Sequence, residues 1–122
     1  MLIWYLRGNM KAIGFISGAP FNNRFTTSLC VMELIQGCLD KEELRVVKRF
    51  IKENFSSIIH PDEKISEKAV LLLERYALSD GLRTVDALIA ASALTEDITL
   101  ATANLKHFKN IPKLKILEFK PD

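Results

Sequence analysis

The chain has 122 residues, 48% hydrophobic and 26% charged, which suits one soluble domain over residues 1–122 with a single sizeable core. Seventeen basic residues against fifteen acidic ones give a net charge of +2, which permits a nucleic-acid partner without arguing for one. No apolar run approaches the length of a membrane span, so a cytoplasmic protein is expected, with Cys30 and Cys38 as buried thiols rather than a disulfide.

The opening run MLIWYLRGN is apolar from its first residue and turns at Gly8-Asn9. Residues 11–17 have the pattern of a short helix, with Ala12, Ile13, Phe15 and Ile16 available for burial. Gly18, Pro20, Asn22 and Asn23 close it as a loop. Residues 25–31 (FTTSLCV) are rich in β-formers and predict a strand. Residues 32–37 then turn helical, which puts Glu33 in a first helical turn. Asp40 with Glu43 forms a capping box that opens a helix with Leu44, Val47, Phe50 and Ile51 on its inner side. Arg45, Lys48, Arg49 and Lys52 make a basic stripe on another face, and the ordinary meaning of such a stripe is a solvated surface. Residues 55–59 predict a further strand. Ile65, Ala69, Leu72, Leu73 and Tyr76 mark an amphipathic helix that stops near Asp80-Gly81.

The stretch from Leu82 to Phe108 organises the rest. Val85 and the run from Ala87 to Leu94 make a helix that is apolar on nearly every side, hence buried, with alanines that allow close approach to a sheet. Residues 98–101 then predict a strand covered on both faces, and residues 115–119 (KILEF) a last strand at an edge. Strands separated by helices indicate an α/β sandwich with a mostly parallel sheet.

In such sheets sites form at the carboxyl ends of the strands. Glu33, Asp86 and Asn104 all fall there by this reading. Two carboxylates and an amide oxygen are hard donors suited to Mg²⁺ or Mn²⁺ rather than zinc, and such ions activate water and stabilise charge on a phosphodiester. A plainer account is also open. Acids in first helical turns suit the helix dipole, and Asn104 suits a turn. Yet an ionised Asp86 inside so apolar a helix is costly without a cation, donors or solvent. No Gly-rich phosphate loop is present, and His60 and His107 lack zinc spacing.

The strings LIWYLRGN, MELIQG, EELRVVKRF, VDALIAASAL and LATANLKHF resemble, in this order and over nearly the whole chain, PIN-domain proteins of the VapC type, the toxins of type II toxin–antitoxin pairs. The resemblance implies a PIN-like three-layer α/β/α fold and a Mg²⁺- or Mn²⁺-dependent endoribonuclease. It also implies homodimers and neutralisation by a cognate VapB-type antitoxin. Glu33 in MEL matches the family's site glutamate, Asp86 in VDALIAA its later aspartate, and Asn104 in TAN a position held by Asp or Asn. With these three as metal-holding and catalytic residues, RNA would be hydrolysed, and Lys106 and Lys109 would meet phosphates unless they are simply solvated. Trp4, Tyr5 and Leu6 either contact a partner or fill the core.

One departure stands out. The family opens with a strand ending in Asp-Thr-Asp/Asn-Val-Leu-Ile, and Met1-Leu2-Ile3 here sits where Val-Leu-Ile is expected, so the first strand and its aspartate are missing by this alignment. The true start lies upstream of Met1, or the segment from Met1 to Leu6 moves into the vacant central position, or the copy is degenerate; the first is the expectation adopted. The competing functional expectation is a truncated or catalytically impaired PIN remnant that only binds an antitoxin or dimerises. A nucleic-acid-binding module without cleavage ranks last, for want of charge and aromatic platforms.

Overall fold

The computed structural model describes residues 20–102 and 105–118 together with the backbone of Leu2–Tyr5. Its strands are β1 (Leu2–Tyr5), β2 (Arg24–Thr27), β3 (Ser57–Ile59), β4 (Thr99–Thr102) and β5 (Ile116–Glu118). They form one sheet in the order β3-β2-β1-β4-β5, and every pairing is parallel. Parallel neighbours cannot be joined by a tight turn, so from β2 onward the chain crosses over through helices. These are α1 (Ser28–Gln36), α2 (Lys41–Asn54), α3 (Glu63–Asp80), α4 (Thr84–Glu96) and the single turn α5 (Leu105–Phe108).

Two cores flank the sheet. Alternate residues of a strand face opposite sides, and β4 shows it: Leu100 packs with Ile65, Ala69 and Leu72 of α3 and Ile89 of α4, whereas Ala101 packs with Val47, Phe50 and Ile51 of α2. The α/β/α sandwich expected from the sequence is therefore the fold, and β5 lies at an edge as predicted.

Three expectations change. The central sheet position thought to be vacant is filled by Leu2–Tyr5, in register Leu2↔Thr99 through Tyr5↔Thr102 on one side and Leu2↔Arg24 on the other. An apolar run with β-formers is suited to a strand paired on both edges, where it satisfies the backbone groups of β2 and β4. The strand predicted over 25–31 ends instead at Thr27, because Thr27 Oγ1 accepts a hydrogen bond from Cys30 N at 3.2 Å and starts α1 as its N-cap. Glu33 consequently sits in the middle of α1 rather than in its first turn. The helix predicted over 11–17 lies outside the described residues.

The other boundaries follow their local chemistry. Asp40 caps α2, accepting from Glu43 N at 2.8 Å, while Glu43 reaches back to Leu39 N at 2.7 Å. Asp62 caps α3 through Ile65 N at 2.8 Å, and α3 stops at Gly81, whose φ of 70° is open to glycine at no steric cost. Along α2 the basic stripe is exposed and Val47, Phe50 and Ile51 are buried, as its period predicts. Among the described residues no helix is long and apolar enough to cross a membrane.

Candidate active site

The strand order reverses at β1: the chain builds outward to β2 and β3 on one side, then to β4 and β5 on the other. Such a switch point leaves a crevice at the carboxyl ends of the central strands. Two fully buried threonines, Thr27 ending β2 and Thr102 ending β4, mark that rim. The two candidate carboxylates, Glu33 and Asp86, lie on helices α1 and α4.

Asp86 is the third residue of α4 and is completely buried. Its environment answers the cost of burying a charge. Oδ2 accepts a hydrogen bond from the backbone N–H of Arg83 at 3.4 Å, closing the first turn, and lies 3.0 Å from His107 Nδ1 on α5. With Asp86 ionised, the second contact is a hydrogen bond in the ring form that carries a proton on Nδ1, and an ion pair when the imidazole is fully protonated. Asp86 also stands where the amino-terminal dipole of α4 favours a negative charge. The carboxylate is thus held by its own helix and by a residue twenty-one positions on.

His107 is what sequence reasoning missed. It lacks zinc spacing, and a lone histidine in a four-residue helix carries no periodic signal. Its neighbour explains its placement: Phe108 is fully buried and pins α5 against the core, which turns His107, one-fifth exposed at its side chain, towards Asp86.

Glu33 is half-buried on α1, and its Oε2 is withdrawn from solvent. Its charge is felt by Cys30 one turn earlier. Burial is the main force that pushes the Cys30 thiol above its ordinary value, and the Glu33 carboxylate adds to it. Hydrogen bonds from Thr27 and Thr26 act in the opposite sense. Asn104 lies outside the described residues. Lys106 and Lys109, at either side of His107, are exposed.

Among the described residues no three His, Cys, Asp or Glu side chains gather closely enough to cage a metal. Glu33 and Asp86 nevertheless fit a hard divalent cation in kind, since both offer carboxylate oxygens. Mg²⁺ commonly takes one or two carboxylates, keeps several waters and completes its shell with substrate phosphate. A two-carboxylate set suits that mode and does not suit zinc.

A family-wide sequence comparison matches the PIN domain over residues 2–114. The chain belongs to the PIN-domain family. Solved structures with the same fold include a chain of the DNA-bound VapBC from Salmonella typhimurium, at 22% identity and a TM-score of 0.79, covering 96% of each chain. A toxin–antitoxin complex from Klebsiella pneumoniae aligns at 22% identity and TM-score 0.76, over 100% of this chain and 98% of that one. FitAcB from Neisseria gonorrhoeae aligns at 19% identity and TM-score 0.71, over 99% and 98%. Among curated proteins nothing matches.

The family match begins at residue 2, so β1 is inside it. No Asp or Glu occurs before Glu33. The central strand is in place, and no carboxylate side chain lies in it or between it and Glu33.

Proposed function

We propose that this PIN-domain protein is a VapC-type nuclease that hydrolyses RNA phosphodiester bonds with Mg²⁺ or Mn²⁺ held by Glu33 and Asp86. The observation that carries the reading is the family match over residues 2–114 with a buried carboxylate, Asp86, at the amino terminus of α4 beside the switch point. When bound, the ion supplies an activated water and offsets charge developing on the phosphate. The protein's own work is positional. Glu33 and Asp86 present oxygen donors from two helices, and the Arg83 N–H and His107 fix the Asp86 carboxylate so that one oxygen is already engaged. Asn104 comes two residues after β4 in sequence and is proposed to position a ligand or water, with Lys106 and Lys109 meeting neighbouring phosphates.

A homodimer, a cognate VapB-type antitoxin and a cytoplasmic location are proposed on the same footing. Their support is that chains of this fold occur in VapBC and FitAcB assemblies.

A second reading has its own observation. No Asp or Glu precedes Glu33 in the sequence, so the aspartate that ends the first strand in VapC-type proteins has no counterpart among these residues. On that reading the chain binds its antitoxin or dimerises without cutting. Cleavage of a mixed RNA substrate with 1 mM-range Mn²⁺, assayed beside Asp86→Ala purified identically, separates the two. Metal-dependent cleavage that vanishes in Asp86→Ala establishes the nuclease. Activity no greater than that of the mutant leaves the non-catalytic reading.

A further inference from the structure

A groove of about 630 Å³ runs between α1, α2 and the edge strand β3, on the far side of β2 from the switch point. Its floor is apolar, with Ile35 and Ile58 still 40% and 39% exposed beside the buried Ile51. Its rim is basic, with Lys48, Lys52 and His60 and no Asp or Glu among the lining residues. Neither lysine makes an ion pair among the described residues. As the terminal strand of the sheet, β3 keeps one row of backbone groups that no other strand pairs among the described residues. Helix, apolar floor and open edge thus converge on one face, and the basic stripe of α2 borders it.

From this juxtaposition we infer that the groove takes an extended peptide of another protein, added as a strand to β3, with acidic side chains two residues apart set against Lys48 and Lys52. The spacing matches. Two lysines one helical turn apart are separated by about 6 Å along the helix axis. Alternate side chains of a strand are separated by about 6.7 Å. Strand addition draws affinity from the main chain and specificity from alternate side chains, which suits a three-residue edge with a pocket alongside. The apolar floor argues against nucleic acid here, as does the lack of a stacking surface: Phe55, the one aromatic ring besides His60 that lines the groove among the described residues, is 6% exposed and packs edge-on to Phe50. The inference stands apart from the nuclease reading and uses none of its residues.

The test uses the full chain and a fluorescein-labelled ten-residue peptide alternating glutamate and valine, with a lysine–valine peptide as control and a ten-nucleotide oligouridylate as competitor. Saturable binding of the acidic peptide is expected, weakened at least tenfold by K48E/K52E and slowing amide exchange across Ser57–Ile59 several-fold. Both lysines are exposed, so the variant keeps its fold, which its melting temperature checks. Equal binding of the lysine–valine peptide, an unchanged affinity in K48E/K52E, or unchanged exchange in β3 would each overturn the inference. Oligouridylate that binds through Lys48 and Lys52 where the acidic peptide does not would also overturn it, and would make this face a nucleic-acid track.

Discussion

Helices α2 and α4 pack on opposite faces of the same sheet and obey different rules. Helix α2 is sharply amphipathic, with Val47, Phe50 and Ile51 inward and Arg45, Lys48, Arg49 and Lys52 outward. Helix α4 has no outward face of that kind, and Ala87, Ile89, Ala90 and Ala91 are all fully buried. A sequence with a clear inside and outside reveals orientation, and its polar residues mean little individually. A sequence apolar all round hides orientation but makes each polar residue conspicuous. That is why Asp86 stood out from the sequence while the groove beside α2 did not.

The contrast is broken most directly by cutting the same side chain on both helices. Ile89→Ala removes a fully buried isoleucine between α3 and the sheet, and should cost about 3–5 kcal/mol, the upper part of the usual range. Ile51→Ala, 8% exposed and at the edge of the groove, can be refilled by water and moving neighbours, and should cost about 2 kcal/mol. Urea denaturation of both variants checks the order. Equal losses would mean that α2 is as tightly enclosed as α4.

The next effect concerns how Asp86 is held. His107→Ala withdraws a partner from a fully buried carboxylate and should destabilise by about 1–3 kcal/mol. His107→Asn, able to donate a hydrogen bond, should recover part of that. If His107 also positions Asp86 for a metal, Mn²⁺ should raise the melting temperature of the wild type more than that of His107→Ala. A loss of stability with an undiminished Mn²⁺ response would leave His107 as a structural clasp only. Smaller again is the helix cap: Asp62→Ala should cost about 1 kcal/mol by orphaning the Ile65 N–H, whereas Asp62→Asn should cost less.

These comparisons also show what the sequence could and could not convey. Period, the Asp40 cap and the Gly81 stop marked α2 and α3 well, because such residues act on their immediate neighbours; the Asp62 cap emerges only in the structure. The end of β2 was misjudged because Thr26, Thr27, Cys30 and Val31 all favour strands, and only the Thr27 cap decides where the helix takes over. β1 was legible as an apolar segment able to enter the sheet, but its place between β2 and β4 depends on residues more than twenty and ninety positions away. α5 is too short to carry a period, and the value of His107 lies entirely in a partner on another helix. Of the three candidate site residues, Asp86 was placed rightly in a first turn and Glu33 one turn too early in its helix.

The smallest effect is a titration. In this α1 the Cys30 thiol is held above its ordinary 9.0, chiefly by burial. A thiol is neutral when protonated, so the folded state binds this proton more tightly than the unfolded one. Below about pH 8 both states keep it and the difference is nil. As pH rises through the unfolded value, the unfolded chain releases its proton first and gains stability relative to the fold. Cys30→Ala cannot titrate, so the wild type should lose a few tenths of a kcal/mol relative to that variant between pH 8 and 9. The loss should steepen towards about 1.4 kcal/mol per unit above that, until the folded thiol ionises in turn. Parallel stability curves across that window would show that Cys30 meets solvent as readily folded as unfolded. They would also mean that the α1 end of the site is open in a way that α4, with Asp86 sealed beneath it, is not.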